Sequence, residues 1–264
     1  MTHSTLLLLV DGRFPAGGHA HSGGLEAAVA AGLVRDLSQL YEWLTGRLAT
    51  VGSVEAAFAA AAWSNASAVG SGVVKASTLA SGRSVADELA GVLADIERRL
   101  IVLDSELVAR TASPAQRSAS RAQGRGLIRA ARRCWPSDVI EVLAIQRPAT
   151  AASGTAPVVG PMLPIAFGVT GYAAGLSAAD VTLGACCAAV HGPAWSSTRL
   201  LGLDPLGVAE CLAELSPAIE QASKAALRWS DWTLNPRELP SATAPLLEIG
   251  AEDHANWEVR LFAS

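Results

Sequence analysis

The chain has 264 residues, half of them hydrophobic and few of them aromatic, and a formal net charge of −4. This length allows one large domain with a substantial core, and apolar residues that lean on alanine favour packed helices over β-sandwiches. The negative charge gives no reason to expect nucleic acid as the principal partner.

The first predicted elements are short helices on either side of a glycine-rich stretch. Residues 6–10 are predicted to form one short buried helix, and residues 23–31 form another with Glu26 in its first turn. A carboxylate suits that position because the helix dipole is positive there. Asp36, with Gln39 three residues on, is typical of the start of a third helix.

The middle of the chain is predicted to contain four more helices. An Ala-rich helix over residues 54–68 precedes a Gly- and Ser-rich loop over residues 69–84. The next helix has the clearest apolar stripe, formed by Leu89, Leu93, Ile96, Leu100, Leu103 and Leu107. Ser113-Pro114 then marks a helix start, because serine is a favoured cap and proline a favoured first helical residue. A short helix over residues 138–146 follows.

The window between Arg147 and Asp180 carries no charge. Its prolines and repeated glycines argue against a continuous membrane-spanning helix of roughly 20 residues. We therefore predict a buried helical hairpin, with its first helix over residues 164–174. The second helix is predicted to stop at His191-Gly192-Pro193, and a later helix to kink or break at Pro217.

Together these elements predict an all-α fold, a single-domain multi-helix bundle of about ten helices over residues 1–235. Residues 236–264 differ, because they combine proline breaks, acidic residues and large apolar side chains. Such a segment is either ordered by a partner or packed back on its own domain, and we expect a partner to order it.

The four cysteines show neither a CxxC pair nor a regular spacing. They are predicted to be reduced, buried thiols of a cytoplasmic protein. We expect no signal peptide, since the apolar run at the start is short and lacks a basic region before it.

The stretch over residues 11–26 concentrates glycines with groups capable of polar chemistry. Its Gly-x4-Gly spacing lacks the lysine that a phosphate loop needs. His19 and His21 could both bind a metal, but no third ligand is visible nearby, so a His-loop metalloprotein stays an alternative. No nucleophile motif or clustered carboxylate pair accompanies the stretch, and we expect neither enzymatic activity nor a cofactor.

One helix carries arginines on a broad face, at Arg117, Arg121, Arg125, Arg129 and Arg132. Such a stripe is either a docking surface for an acidic partner or nucleic acid, or a solvated face. A helical nucleic-acid-binding protein is therefore a second alternative, and steep salt dependence of binding would be its mark.

The stretch from Phe14 to Glu26 resembles the signature of UreF, the urease accessory protein family, whose pattern is close to F-P-x-G-x-x-x-H-S-x-G-L-E. The positions in register are Phe14, Pro15, Gly17, His21, Ser22, Gly24, Leu25 and Glu26. Residues 121–125 resemble the family's central helix, and residues 260–264 resemble its ending. The region from Arg199 to Val208 departs from the family pattern by a longer spacer and by valine in place of glutamine.

The resemblance implies an all-α, homodimeric, non-enzymatic chaperone for urease maturation. Such a protein binds UreD (also called UreH) and recruits the GTPase UreG to apo-urease, assisting nickel insertion and modulating GTP turnover. It holds no resident metal or cofactor, and neither nucleic acid nor a membrane is expected as a partner. The uncharged helices around residues 158–192 would supply the dimer interface.

The resemblance also implies two sets of partner-binding residues. The set expected to face the GTPase is Phe14, Pro15, His21, Ser22, Glu26 and Arg199. The set expected to face UreD is Trp257, Arg260, Leu261 and Phe262.

Overall fold

The computed structural model describes residues 2–78, 85–144, 160–231 and 233–263. Within these ranges the protein is all-α, which confirms the fold class predicted from the sequence. The helices of the described ranges are α1 (Thr2–Val10), α2 (Leu25–Ala30), α3 (Leu37–Arg47), α4 (Ser53–Thr78), α5 (Val85–Ala109), α6 (Pro114–Cys134), α7 (Asp138–Ala144), α8 (Leu163–Ala173), α9 (Ala178–Leu200), α10 (Pro205–Ala226) and α11 (Pro245–Ala255).

Helix α8 lies at the centre of the bundle, between α4 and α6. Every residue from Pro164 to Gly171 is buried. Helix α4 approaches so closely that a side-chain carbon added at Gly168 would lie 2.2 Å from the backbone oxygen of Ala59. Helix α8 is thus largely covered by its own chain. The dimer interface expected around residues 158–192, a range that also includes much of α9, stays a prediction.

Helix α9 continues through Pro193, so the predicted stop at this proline is wrong. A proline has no N–H to donate to the carbonyl four residues earlier, which here belongs to Ala189. The Nε–H of Arg47 supplies the missing donor and bonds the Ala189 oxygen at 2.8 Å. Helix α10 likewise continues through Pro217.

Two other helices differ from their predicted extents. Helix α4 continues to Thr78, well beyond residue 68, and residues 79–84 of the predicted loop lie outside the described residues. Helix α1 is only partly buried, because Leu7 and Leu8 are exposed.

The four cysteines are free thiols, but they are not all buried as predicted. Cys134 is exposed at the end of α6, whereas Cys186 and Cys211 are buried. Burial raises the pKa of the Cys186 thiol to about 12, with smaller contributions from the charges of Cys187 and Glu55. A thiol held protonated in this way is a poor nucleophile and a poor metal ligand.

The uncharged window contributes α8 and the first two residues of α9, while residues 145–159 lie outside the described part of the chain. Across the described ranges, the helices lack the combination of length and apolar character that crossing a membrane requires.

The C-terminal segment, residues 236–263, lies on the bundle. After a 3₁₀ turn at Pro236–Glu238, helix α11 packs on α2 and α6. Pro245 begins this helix rather than breaking one, because a proline in the first turn forfeits no helical hydrogen bond. The final residues are irregular and reach the glycine-rich loop, where the Ala263 N–H donates to the Ala20 oxygen at 2.7 Å. Further ordering of this segment by a partner stays a prediction.

Candidate functional site

The motif loop, residues 14–26, is shaped by glycines that take positive φ angles. Gly23 and Gly24 have φ angles of 62° and 94°, a region that glycine enters without steric cost. A side-chain carbon added at Gly23 would lie 2.9 Å from the ring of Pro193 and 3.1 Å from the guanidinium of Arg47. The loop therefore turns directly against α3 and α9.

The first turn of the motif loop is fixed on α6 by packing. The buried ring of Phe14 stacks on Trp135 with 5.8 Å between the ring centroids. The backbone oxygen of Ala16 faces Gly126, where an added side-chain carbon would lie only 2.5 Å from it. Pro15, between these two anchored residues, is exposed.

The end of the motif loop leads into α2 through Ser22, which is fully buried. Its Oγ accepts the N–H of Glu26 at 3.2 Å, and its backbone oxygen accepts the N–H of Leu25 at 3.2 Å. These bonds satisfy N–H groups at the helix start that have no helical acceptor. They also fix the direction in which the Glu26 side chain leaves the helix.

The carboxylate of Glu26 binds the end of the chain. Its Oε1 accepts the N–H of Leu261 at 2.8 Å, and its Oε2 accepts the N–H of Phe262 at 3.0 Å. The Nε2 of His254 also lies 2.9 Å from Oε2. Glu26 itself is only 7% exposed. A carboxylate near the start of the chain thus holds three groups near its end.

The electrostatics at Glu26 favour the anion. Burial raises the pKa of this carboxyl, but bonds from the Leu261 N–H, His254 and the Phe262 N–H outweigh burial and leave the pKa below its ordinary value. The contact therefore consists of charge-assisted hydrogen bonds, which are stronger than those between neutral groups.

The side chain of Phe262 is buried beside the motif loop. The guanidinium of Arg199, on α9, lies 5.1 Å from the centroid of its ring, within the range of a cation–π contact. Arg199, from the set expected to face the GTPase, therefore contacts Phe262, from the set expected to face UreD.

Helix α11 is held on α6 by a second carboxylate. Glu252 accepts the Ala115 N–H at 2.8 Å and the Ser113 hydroxyl. These bonds lower the pKa of Glu252, the Ser113 hydroxyl contributing most. A carboxylate is favourable at this place because the first N–H groups of a helix lack internal acceptors and its dipole is positive there.

A third anchor holds the beginning of the C-terminal segment. Arg110, at the end of α5, donates from Nη2 to the backbone oxygens of Arg237 at 3.0 Å and Leu239 at 3.3 Å. Its Nη1 lies 2.6 Å from the Glu106 carboxylate, which keeps the guanidinium in place. The C-terminal segment is therefore attached at its start, at α11 and at its end.

Contacts between the two predicted sets join Glu26 to Leu261 and Phe262, and Arg199 to Phe262, and the members of the sets differ in exposure. Those buried inside the chain are Phe14, Ser22, Glu26 and Phe262. Those with exposed side chains are Pro15, Arg199, Arg260 and Leu261, and those with half-buried side chains are His21 and Trp257. Partner contacts by these residues stay a prediction, and the buried ones can influence a partner only through the surface that they support.

Known proteins that resemble this chain identify its family. The UreF family profile matches residues 34–216. A urease accessory protein UreF of Mycolicibacterium vanbaalenii is 39% identical over 261 residues, covering 99% of this chain and 98% of that protein. This chain belongs to the UreF family. A UreF of a Mycobacterium species is 37% identical over 263 residues, covering 100% and 99% of the two chains, and that of Mycobacterium tuberculosis is 33% identical over 261 residues, covering 99% and 98%.

The family's motif loop does not assemble a metal site in the described part of this chain. His21 is half-buried, and burial lowers its pKa, with a smaller contribution from the charge of His19. A neutral imidazole can bind a metal, but among the described residues no three His, Cys, Asp or Glu side chains converge as a ligand group.

Two cavities border the C-terminal segment in this UreF-family chain. An apolar groove of about 320 Å³ lies between α2, α3 and α11, with Leu33, Trp43 and Leu246 among its walls. A smaller cavity of about 120 Å³ lies beneath α11 and is lined in part by Arg47 and Glu55. Burial lowers the pKa of Arg47 and raises that of Glu55, and the charge of each opposes the effect on the other.

Sequence reasoning missed the residues that anchor the segment, namely Arg110, Glu252 and His254. Glu252 and His254 belong to α11, which the three prolines of the tail were expected to prevent. The proline at the start of PLLEIGAEDHA, followed by a glutamate in the first turn, is a helix-start pattern that could have revealed α11. No local pattern reveals that Arg110 meets carbonyls more than a hundred residues away.

Proposed function

We propose that this chain is a non-enzymatic scaffold in urease maturation. It binds UreD (UreH) and recruits the GTPase UreG to apo-urease, assisting nickel insertion and modulating GTP turnover. Membership of the UreF family supports the role in urease maturation. The observation that carries the finer proposal is the junction of the motif loop with the C-terminal ending, since a rigid joint surface of this kind suits a bridging protein.

The joint surface offers apolar and basic groups to a partner. Val259 and Leu261 are 84% and 58% exposed, and Arg199 and Arg260 are exposed beside them. Exposed apolar side chains held by anchored backbone favour binding, because little conformational entropy is lost when a partner arrives. We assign the exposed ending to UreD.

The exposed parts of the motif loop are assigned to the GTPase. Pro15, His21 and Arg199 are the members of that predicted set with side chains at least partly accessible. Phe14, Ser22 and Glu26 support these residues from inside. The active form is proposed to be a homodimer, with its interface on the uncharged helices around residues 158–192.

The assignment to UreD is tested by co-expression of this chain with tagged UreD, followed by affinity capture and gel filtration. Leu261→Asp should weaken capture at least about fivefold, since removing a central apolar contact costs about 1–2 kcal/mol or more. Its backbone N–H to Glu26 is retained, so the helical circular dichroism should match that of the unsubstituted chain.

The matched control is Val102→Asp, which changes a 50% exposed apolar residue on α5. This variant should be captured as well as the unsubstituted chain. Undiminished capture of Leu261→Asp, or equal loss from both variants, would refute the assignment.

A further inference from the structure

We infer that Glu26 is a positioning residue, which holds the C-terminal ending in the conformation that a partner meets and does not touch the partner itself. The consequence for partner binding rests on the proposed function, whereas the positioning is a property of this chain alone. Glu26 belongs to the motif loop, but its accessible surface is too small for it to serve as a contact.

The first step of the inference is the pattern of donors around the carboxylate. Leu261 and Phe262 are consecutive residues, and each donates its backbone N–H to a different oxygen of Glu26. Two adjacent backbone N–H groups held by one carboxylate fix the direction of the chain, not only its distance. His254, from α11, donates its Nε2–H to the same Oε2, because an ionised carboxylate can only accept, and it fixes the side chain from the other side.

The second step is the effect on the residues beyond the contact. With the backbone of residues 261 and 262 held, the side chain of Phe262 points into the interior and that of Leu261 remains exposed. The next residue closes the arrangement, because the Ala263 N–H donates to the Ala20 oxygen of the motif loop at 2.7 Å. The exposed side chains around Leu261 thus owe their placement to a carboxylate on α2.

The third step is that no neutral side chain of the same size can replace this carboxylate. A glutamine amide has one oxygen, so either orientation places an NH₂ group against a backbone N–H, at Leu261 in one case and at Phe262 in the other. A donor facing a donor leaves a buried N–H without an acceptor. Glu26→Gln is therefore nearly isosteric with the native side chain but should release the ending.

The test compares amide hydrogen exchange in the full chain and in Glu26→Gln. The amides of Leu261, Phe262 and Ala263 should exchange at least tenfold faster in the variant, and by a larger factor than the amides of the central helix α8, whose exchange follows only the global stability. The matched control is Glu258→Gln, which removes the same charge from an exposed residue of the same segment and should leave exchange unaltered. Glu26→Asp keeps the charge but has a shorter reach, and it should give a smaller increase at the same three amides.

Unchanged exchange at these amides in both Glu26 variants would overturn the inference. An equal rise in exchange throughout the chain would also overturn it, because Glu26 would then be a general stabilising residue. These outcomes are decided without any partner. A native chain that fails to capture UreD would count against the proposed function and not against the exchange result.

Capture of UreD adds a second measurement, and its pattern across single and double variants separates positioning by Glu26 from a general effect on stability. If Glu26 acts through the ending, Glu26→Gln should weaken capture in the native chain but add less than a twofold further loss in the Leu261→Asp background. If the two substitutions instead reduce capture independently, so that their losses multiply in the double variant, Glu26 does not act through the C-terminal ending. That result would overturn its positioning role.

Discussion

At the scale of single residues, Glu26 is buried and yet favoured as the anion, two properties that usually oppose each other. Burial opposes a charged carboxylate, yet this one has a pKa below its ordinary value of 4.5 because backbone and histidine bonds favour the anion. The cost of burying the charge is thereby offset only while the C-terminal ending is in place. The motif loop and the ending therefore stabilise each other.

A pH dependence follows from the lowered pKa. A group whose folded pKa is below its unfolded value contributes stability above the unfolded pKa and loses it as pH falls through the folded pKa. The native chain should be about 1.5–3 kcal/mol more stable to urea than Glu26→Gln at neutral pH. This difference should shrink as pH falls below the ordinary value of 4.5.

Urea unfolding of both chains from neutral pH down to about pH 3 measures this difference directly. The charge of Glu252 is common to both chains, so its direct titration largely cancels. A difference that stays constant or grows with acidity would contradict the assignment of the anion to Glu26.

At the scale of elements, the arginine stripe of α6 divides into residues with different roles. Arg117 donates to the backbone oxygens of Thr111 and Ala112, which close the turn before its own helix. Arg121 pairs with Asp104 on α5 at 2.7 Å. Arg129 is exposed. A stripe whose members hold neighbouring elements has fewer free cations for nucleic acid than its spacing indicates.

Substitution of two members should separate these roles. Asp104 is only 8% exposed at its side chain, so Arg121→Ala leaves a buried carboxylate without its cation and should cost about 3–5 kcal/mol. Arg129→Ala should change stability by less than about 0.5 kcal/mol. Thermal and urea unfolding compare the two, and equal effects would contradict the division.

The elements also explain which local predictions succeeded. Caps that depend on neighbouring residues were predictable, as at Asp36, whose carboxylate accepts the Gln39 N–H at 2.9 Å. Helix ends that depend on distant residues were not. Pro193 lies inside α9 because Arg47 on α3 satisfies the carbonyl that the proline leaves free. A rule based on local sequence predicts a break there, since it has no information about Arg47.

At the scale of the whole molecule, the sequence predicts the all-α class and singles out the motif loop and the C-terminal segment, but it does not predict that the two are joined. Apolar periodicity is a local property and identifies α5 and α6. The contacts of Glu26 with Leu261 and Phe262 join residues more than two hundred positions apart. No local pattern in the tail indicates that its backbone N–H groups are bound by the Glu26 carboxylate. The same holds for Glu252, which sequence reasoning treated only as part of an acidic tail.

Glu252 provides a test of the segment as a unit, because it ties α11 to the start of α6. Glu252→Ala removes the acceptor of the Ala115 N–H and the Ser113 hydroxyl, and should favour detachment of the segment by about 1–2 kcal/mol. That energy corresponds to roughly a 5- to 30-fold larger detached population. Arg237 lies at the first anchor and Arg260 precedes the last one, and both are exposed. Limited trypsin digestion after Arg237 therefore reports the detached population.

Mass spectrometry of the released fragment should show faster cleavage in Glu252→Ala by the same factor, with the bundle before Arg237 remaining intact. Glu258→Ala, which also removes one exposed acid from the segment, should be cleaved at the native rate. Native-rate cleavage of Glu252→Ala would mean that Glu26 and Arg110 hold the segment without α11. Simultaneous digestion of the bundle would mean that the segment is inseparable from the core rather than attached to its surface.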